Sequence, residues 1–443
     1  NTSVRLSLTN LNNTWIVPNT GYKRNTVALS VSHKLSDKLQ LAAKVNYTNK
    51  VSDNLPSTGY NNQSIMYFIR GLTPNVNLDW IKPLWTNDTL VNISQNQPFS
   101  SLLDNPYVIA NAMLNKSNRN GVIGNVSATY NFTKDFSIAI KTALDYSSEA
   151  RSQQRPFDTN KFPDGMFRSQ NIFTQELNTD FLIRYGRDIG KKFNVVVSGG
   201  GSQMRNKYIR DELRADQLNL PGYYNLANSK NPLVALPYRA NYRVNSFYGL
   251  AQISFDKFLF FDATARQDWA STLATPPSPT NEGSVANTGF FYSSFNLSAV
   301  LSEKIKLPAA ISFLKVRGSL AGVGSGGITP YKTSFTYNPT LFSGGLTNPP
   351  AIANPNLQSL LTQSVEFGLD VRFLKNRLGL DVAVYKNNTK KQILDIPIDR
   401  SSGYSATVGN AGLVRNTGIE VQLNGTVLQS PKGFNWNIFG TYA

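Results

Sequence analysis

A single histidine, His33, is the first candidate for chemistry in this 443-residue chain, which has no cysteine. Without Cys there is no thiol nucleophile, no disulfide framework and no Cys-ligated zinc. One imidazole cannot build a multi-His metal centre. A Ser-His-acid triad would need His33 to face a serine and a carboxylate. It shares the parity of Val27, Leu29 and Val31, which points it away from the polar side of its strand, so a turn or interface role is expected. Gly322-Val-Gly-Ser-Gly-Gly327 has the look of a phosphate loop. It lacks the Gly-Lys-Ser/Thr ending and no helix follows, so it reads as a flexible strand exit. Asp211-Glu212, among Arg210, Arg214 and Asp216, reads as a solvated loop surface. No catalytic residue, metal ligand or cofactor is expected, and the chain does not read as an enzyme. Trp80, Trp85, Tyr223, Tyr224, Tyr238 and Tyr242 fall in segments without strand patterning. Aromatic rings stack on sugars or hold peptide side chains with large area at small entropic cost. They are the candidate ligand contacts, with packing between loops as the competing role.

Composition narrows the setting. Lys+Arg number 44 against 27 Asp+Glu, a net charge of +17. Only 16% of residues are charged, below the ~25% of ordinary soluble domains, while aromatics reach 11% and mean hydropathy is −0.28. No run approaches ~18 apolar residues, so a transmembrane helix is not expected. The cations are dispersed rather than blocked, which disfavours nucleic acid. Lipopolysaccharide or an anionic ligand remains compatible with the charge. The chain starts at Asn1 inside one strand pattern, without a signal peptide, and stops at Ala443 inside another. It is therefore expected to be an internal piece of a longer protein.

The element that must position these residues is a long strand. Val122, Gly124, Val126, Ala128, Tyr130 and Phe132 alternate with Asn125, Ser127, Thr129 and Asn131. Thr133-Lys134-Asp135 turns the chain into Phe136, Ile138, Ile140, Leu144 and Tyr146. That is an antiparallel hairpin. The unit recurs to give about fifteen strands of 10–13 residues, roughly twice the usual length. Short turns alternate with long connections at roughly 50–120, 148–171, 204–242, 270–289, 324–361 and 390–416. Long loops confined to one side of successive hairpins are the pattern of outer-membrane barrels. One face is apolar with aromatics beside the turns: Phe132, Phe136, Tyr185, Phe193, Phe255 and Phe258, with Tyr47 and Tyr146 at the opposite ends. The other face carries Arg5, Lys44, Lys141, Arg184, Arg317, Glu366, Asp370, Arg372 and Glu420, which would point into a hydrated lumen. The expected fold is all-β: a transmembrane antiparallel β-barrel, closed so that no backbone edge meets lipid.

Several stretches resemble the late part of TonB-dependent outer-membrane transporters: Asn354-Pro-Asn-Leu357, then Ser364-Val-Glu-Phe-Gly-Leu-Asp370. Phe373-Leu-Lys-Asn-Arg-Leu378, Val384-Tyr-Lys-Asn-Asn-Thr389, Gly403-Tyr404, Asn410-Ala-Gly412 and Asn416-Thr-Gly-Ile-Glu420 follow in order and resemble the SusC/RagA branch of the Bacteroidetes. So do Arg5-Leu-Ser-Leu, Trp15-Ile-Val-Pro18 and Lys23-Arg24-Asn25-Thr26. The resemblance implies a 22-stranded barrel with a plugged lumen, of which residues 1–443 would be part of a single barrel domain without the plug, the Ton box or the last strands. It implies TonB-energised import of oligosaccharides or peptides with a SusD-like surface lipoprotein as lid. It also implies that Arg317, Asp370, Arg372 and Glu420 face the plug. A passive porin or an adhesin-type barrel is the alternative.

Overall fold

The computed structural model describes residues 1–59, 63–97, 102–277, 282–340 and 344–443. Fifteen long strands run through them, matching the expected number. They are β1 (Thr2–Thr14), β2 (Gly21–Lys34), β3 (Leu39–Asn54), β4 (Asn115–Asn131), β5 (Phe136–Arg155), β6 (Met166–Ile189), β7 (Phe193–Ala215) and β8 (Tyr238–Phe255). β9 (Leu259–Ala270), β10 (Gly289–Val300), β11 (Ile311–Ser325), β12 (Leu360–Phe373), β13 (Leu378–Pro397), β14 (Ala406–Leu428) and β15 (Trp436–Tyr442) complete the set. Each pairs antiparallel with its successor. The two edges of the sheet are β1 and β15. No helix among the described residues is long and apolar enough to cross a membrane.

Register carries the two-faced pattern across the whole sheet. Leu8 faces Val27, Val27 faces Tyr47, Tyr47 faces Val122, and Val122 faces Tyr146. Further along, Val316, Leu369, Val382 and Val421 form one continuous row. Because side chains alternate with period two, one register slip would reverse every strand's faces. The apolar row stays exposed, with Leu6 at 63% and Leu8 at 72%, which is how a wall that meets lipid differs from a soluble core. The turns lock this register. Thr133 Oγ1 accepts from the Phe136 amide at 3.0 Å, and Asp256 and Lys257 both take left-handed backbone (φ 51° and 57°). Paired left-handed residues match the right-handed twist of a tight hairpin.

The strands run further than expected. β6 has 24 residues and β7 has 23, against the 10–13 read from the alternation. The connections on the long side shrink to 15–20, 55–114, 156–165, 216–237, 271–288, 326–359 and 398–405. Tyr47 and Tyr146 are therefore inside β3 and β5, not at their ends. Tyr238 and Tyr242 belong to β8, not to a loop. Asp211-Glu212 lies in β7, and Glu212 is buried rather than solvated. The reason is physical: past the bilayer neither face of a hairpin meets hydrocarbon, so its strands lose the apolar alternation that marks them in lipid.

Two small cores sit on the long-loop side. In 55–114, helix α1 (Ile65–Gly71) and helix α2 (Pro106–Asn111) frame a cluster of Val108, Ile109, Ala112 and Met113. A second cluster joins Leu273, Leu357 and Val408.

Candidate functional site

The lumen side of the wall is lined with charges that satisfy each other. Arg317 reaches across to Asp381 with two parallel bonds of 2.9 and 2.8 Å, and its Nε lies 3.7 Å from Glu366. Bidentate Arg–carboxylate pairing fixes geometry as well as charge. Asp381 has the same parity as Asp370, which stands directly opposite it in the register. Like charges so placed repel, and each carboxylate is offset by its own cation, Asp381 by Arg317 and Asp370 by Arg372. Gly368 makes this possible, because a Cβ there would fall on the Arg317 guanidinium. The Glu366-Phe-Gly368 stretch is thus one device, a carboxylate and a bare backbone that seat one arginine. Arg372 pairs with Asp370 at 3.3 Å and stacks over Phe313 at 4.7 Å. Glu420, opposite Ala383, is exposed and forms no ion pair with the described residues. Alternation alone placed these four side chains correctly on one face but missed Asp381, although its position between Leu380 and Val382 carries the same signal.

This arrangement makes a prediction. Gly368→Ala should displace the guanidinium, and Arg317→Met should remove it. Each should lower stability by about 1 kcal/mol, the discounted value for a hydrated pair plus the unrelieved Asp370–Asp381 repulsion. The loss should shrink when Asp381→Asn is added, as a double-mutant cycle in urea would read.

Nearer the extracellular rim the same logic repeats with more burial. Glu149, in β5, accepts from Ser117 Oγ at 2.6 Å and from Arg151 Nε at 2.7 Å. Glu212 accepts from Gln170 Nε2 at 2.7 Å with Arg168 and Arg210 at 3.4 and 3.5 Å. Asp268 takes Arg266 at 2.7 Å and the Tyr292 hydroxyl at 2.9 Å.

Above these, the connections are knitted to one another. Asn105 is the hub: its Nδ2 donates to the carbonyls of Ile81 (2.8 Å) and Asn96 (2.9 Å), and its Oδ1 caps α2 through the Tyr107 amide at 2.8 Å. Its own amide donates to Gln95 Oε1. Gln95 in turn donates to Asp104 Oδ1 at 2.9 Å, which also accepts from the Asn160 amide at 2.8 Å. This ties 55–114 to the β5–β6 connection. Asn54 and Asn19 both donate to the Ala110 carbonyl, fastening α2 to the rim of β1–β3. On the far side, Asn410 holds Gln358 by two bonds of 2.8 Å, beside the fully buried Leu357. The Asn354–Leu357 and Asn410–Gly412 motifs therefore pack one loop against a hairpin.

Burial pushes the Asp104 carboxyl above its ordinary range, and nearby Asp158 pushes the same way, against the hydrogen bonds from Asn160 and Gln95. A group whose folded pKa is raised binds more protons folded than unfolded, so its stabilisation is full in acid and is lost as pH rises through the folded value. Relative to their intrinsic exchange rates, the amides of 95–97 and 102–105 should be better protected at pH 4 than at pH 7. Asp104→Asn should abolish that difference.

The aromatic candidates other than Tyr242, already placed in β8, separate. Trp85 packs against the Val108–Met113 cluster. Tyr224 is held in a contact between connections: its hydroxyl donates to Asn92 at 3.2 Å, and burial pushes it up to about 12. Tyr238 stacks with Tyr208 at 5.8 Å and under Arg210 at 5.9 Å on the lumen side. Trp80 and Tyr223 keep 57% and 54% of their surface exposed at the rim. His33, on the apolar face, shares a 2.7 Å hydrogen bond with Thr2 Oγ1, and among the described residues no carboxylate completes a triad there.

Known proteins agree with this architecture. The family model described as TonB dependent receptor-like, beta-barrel matches residues 71–443. TonB-dependent receptor P26 of Formosa agariphila is 24% identical over 98% of this chain and 43% of its own length. TonB-dependent receptor P39 of the same organism is 23% identical over 96% of this chain and 39% of its own. The chain thus spans under half the length of these relatives. The RagAB peptide transporter superposes with a TM-score of 0.76 at 18% identity, over 99% of this chain and 48% of that one. The ferripyoverdine receptor of Pseudomonas aeruginosa gives 0.58 at 10% identity, over 97% and 50%. An antiparallel wall with one lipid face, one charged face and all long connections at one end is the barrel of an outer-membrane protein, and this chain belongs to the TonB-dependent receptor-like β-barrel family.

Proposed function

We propose that this wall belongs to an active importer energised through TonB, taking up oligosaccharide or peptide and capped by a SusD-like surface lipoprotein. The knitted rim carries the reading. Side-chain amides rigidify the connections over the lumen, leaving Trp80 and Tyr223 exposed among them. Rigid loops with a few exposed aromatics suit ligand capture and a docking lid. The neighbouring RagAB structures are described as a peptide transporter and peptide importer, which favours peptide as the first cargo to test. We assign the plug contact chiefly to Glu420. Arg317, Asp370 and Arg372 are occupied within the wall and would meet the plug as a neutralised surface.

The test uses the whole receptor in its outer membrane. Uptake of a labelled oligopeptide should require TonB and an energised inner membrane. Trp80→Ala and Tyr223→Ala should each weaken binding about tenfold, the ~1.4 kcal/mol of one lost aromatic contact. A passive porin or adhesin-type barrel predicts the opposite behaviour, a steady ohmic conductance in planar bilayers with uptake independent of TonB.

A further inference from the structure

On the lipid face the wall is hollow where two glycines meet. Gly199 and Gly249 face each other across β7 and β8, with Ala265 next in the row on β9. A side chain at Gly199 would meet nothing nearer than a backbone oxygen at 4.0 Å, and one at Gly249 nothing nearer than 3.8 Å. With Ile183, Val197 and Phe291 as walls, they floor a groove of about 770 Å³. Two residues up, Phe181 and Phe247 lean over Gly201, their rings 2.8 and 3.1 Å from where its Cβ would sit. Above that bar the groove continues for about 650 Å³ between Ile140, Leu177, Thr179, Gln203, Arg205 and Asn245. Other outward glycines, such as Gly124 opposite Val45 and Gly318 opposite Phe367, face a bulky side chain across the strands, whereas here glycine faces glycine.

The upper end of the groove is cationic. Arg205 and Arg243 stand directly opposite each other in the register, and Lys207 is one outward position further along. Like charges opposite each other destabilise a sheet unless an anion lies between them. None of the three forms an ion pair with the described residues; Asp211, on the same face, is taken by Arg239, and Asp180, also at the groove, alternates onto the other face between Thr179 and Phe181. Arg205 is aimed by its Nε bond to Gln203 Oε1 at 2.6 Å, and Gln203 donates to Asn245 at 3.0 Å. Arg205 is 205 − 193 = 12 residues above Phe193 of the lower aromatic row. At ~3.4 Å per residue and ~40° tilt this is about 30 Å of height, just beyond the ~25 Å apolar band. The guanidinia therefore lie at headgroup level, in the outer leaflet, over an apolar trough.

We propose that this groove is a specific binding site for lipopolysaccharide, with acyl chains along the Gly199–Gly249 trough and a lipid A phosphate held between Arg205 and Arg243. Arginine forks match phosphate oxygens. A second copy of the chain fits worse. A two-fold contact places like heights together, so the same cations would oppose each other.

The experiment uses the full-length receptor in mild detergent, titrated with bis-phosphorylated hexa-acyl lipid A and with its dephosphorylated form, and read by native mass spectrometry. The phosphorylated lipid should bind one per receptor and about tenfold more tightly than the dephosphorylated one. Arg205→Glu with Arg243→Glu should erase that tenfold preference. Gly199→Val, which has room for its side chain, should weaken both lipids alike. Heat-modifiable mobility on gels confirms that each variant is folded. Equal affinity for the two lipids, or no change in either variant, would overturn the site. So would a Gly199→Val variant that loses a dimer while keeping its lipid, which would assign the groove to a second copy.

Discussion

Val382→Arg should cost the receptor about 2–4 kcal/mol of stability in a bilayer, while Gln422→Arg on the adjacent strand should cost almost nothing. Val382 lies on the outward face between Leu369 and Val421, 382 − 378 = 4 residues from the turn end of β13. That is about 10 Å into the apolar band, close to its middle. A guanidinium there has no water and no partner, and charged residues on the lipid face of barrels are penalised by that amount at the midplane. Gln422 is on the opposite face and stands across from Asp381. An arginine at 422 meets a carboxylate in a hydrated lumen, where charge is cheap. Urea unfolding of the receptor in phospholipid vesicles measures both. Equal losses would mean that the two faces are not what the register makes them.

The second large effect is at Asn105. Replacing it by Ala should destabilise the 55–114 connection by about 3 kcal/mol. The side chain carries three bonds in a buried site, to Ile81, Asn96 and the α2 cap. Each orphaned buried group costs ~1–3 kcal/mol, and loss of an N-cap alone ~1. Hydrogen exchange should rise in 81–97 and 102–111, with the membrane strands unaffected. If the reading of the rim as a capture platform holds, ligand affinity should fall with it, although Asn105 touches no solvent. Asn105→Asp is the informative companion. It keeps the cap but cannot donate to the two carbonyls, so it should recover only part of the loss.

The sequence showed the two-faced strand because lipid enforces it. In β5, Phe136 to Tyr146 must alternate, since every second residue meets hydrocarbon, and that alternation is visible residue by residue. It also separated Arg317, Asp370, Arg372 and Glu420 from the lipid face by parity alone. Where the bilayer stops, so does the enforcement. Residues 147–155 and 208–215 are strand in the structure, yet no hydrocarbon enforces an apolar face there and their polar side chains pair with one another, Glu149 with Arg151 and Glu212 with Gln170, so their composition reads as loop. Tyr238 was misplaced for that reason, and Glu212 was taken as solvated.

Pairing in space is what sequence could not supply. Arg317 and Asp381 are 64 residues apart and meet only because the one intervening strand, β12, holds both neighbours in a fixed register. Trp85 and Trp80 look alike in the chain, and only packing sends one into a core and leaves the other at the surface. Likewise, Gly199 and Gly249 are two unremarked glycines until register sets them face to face beneath a pair of arginines. Hydrophobic periodicity is a local constraint imposed by solvent and is written in every strand. Contacts between strands depend on register and on close packing, which no single segment contains.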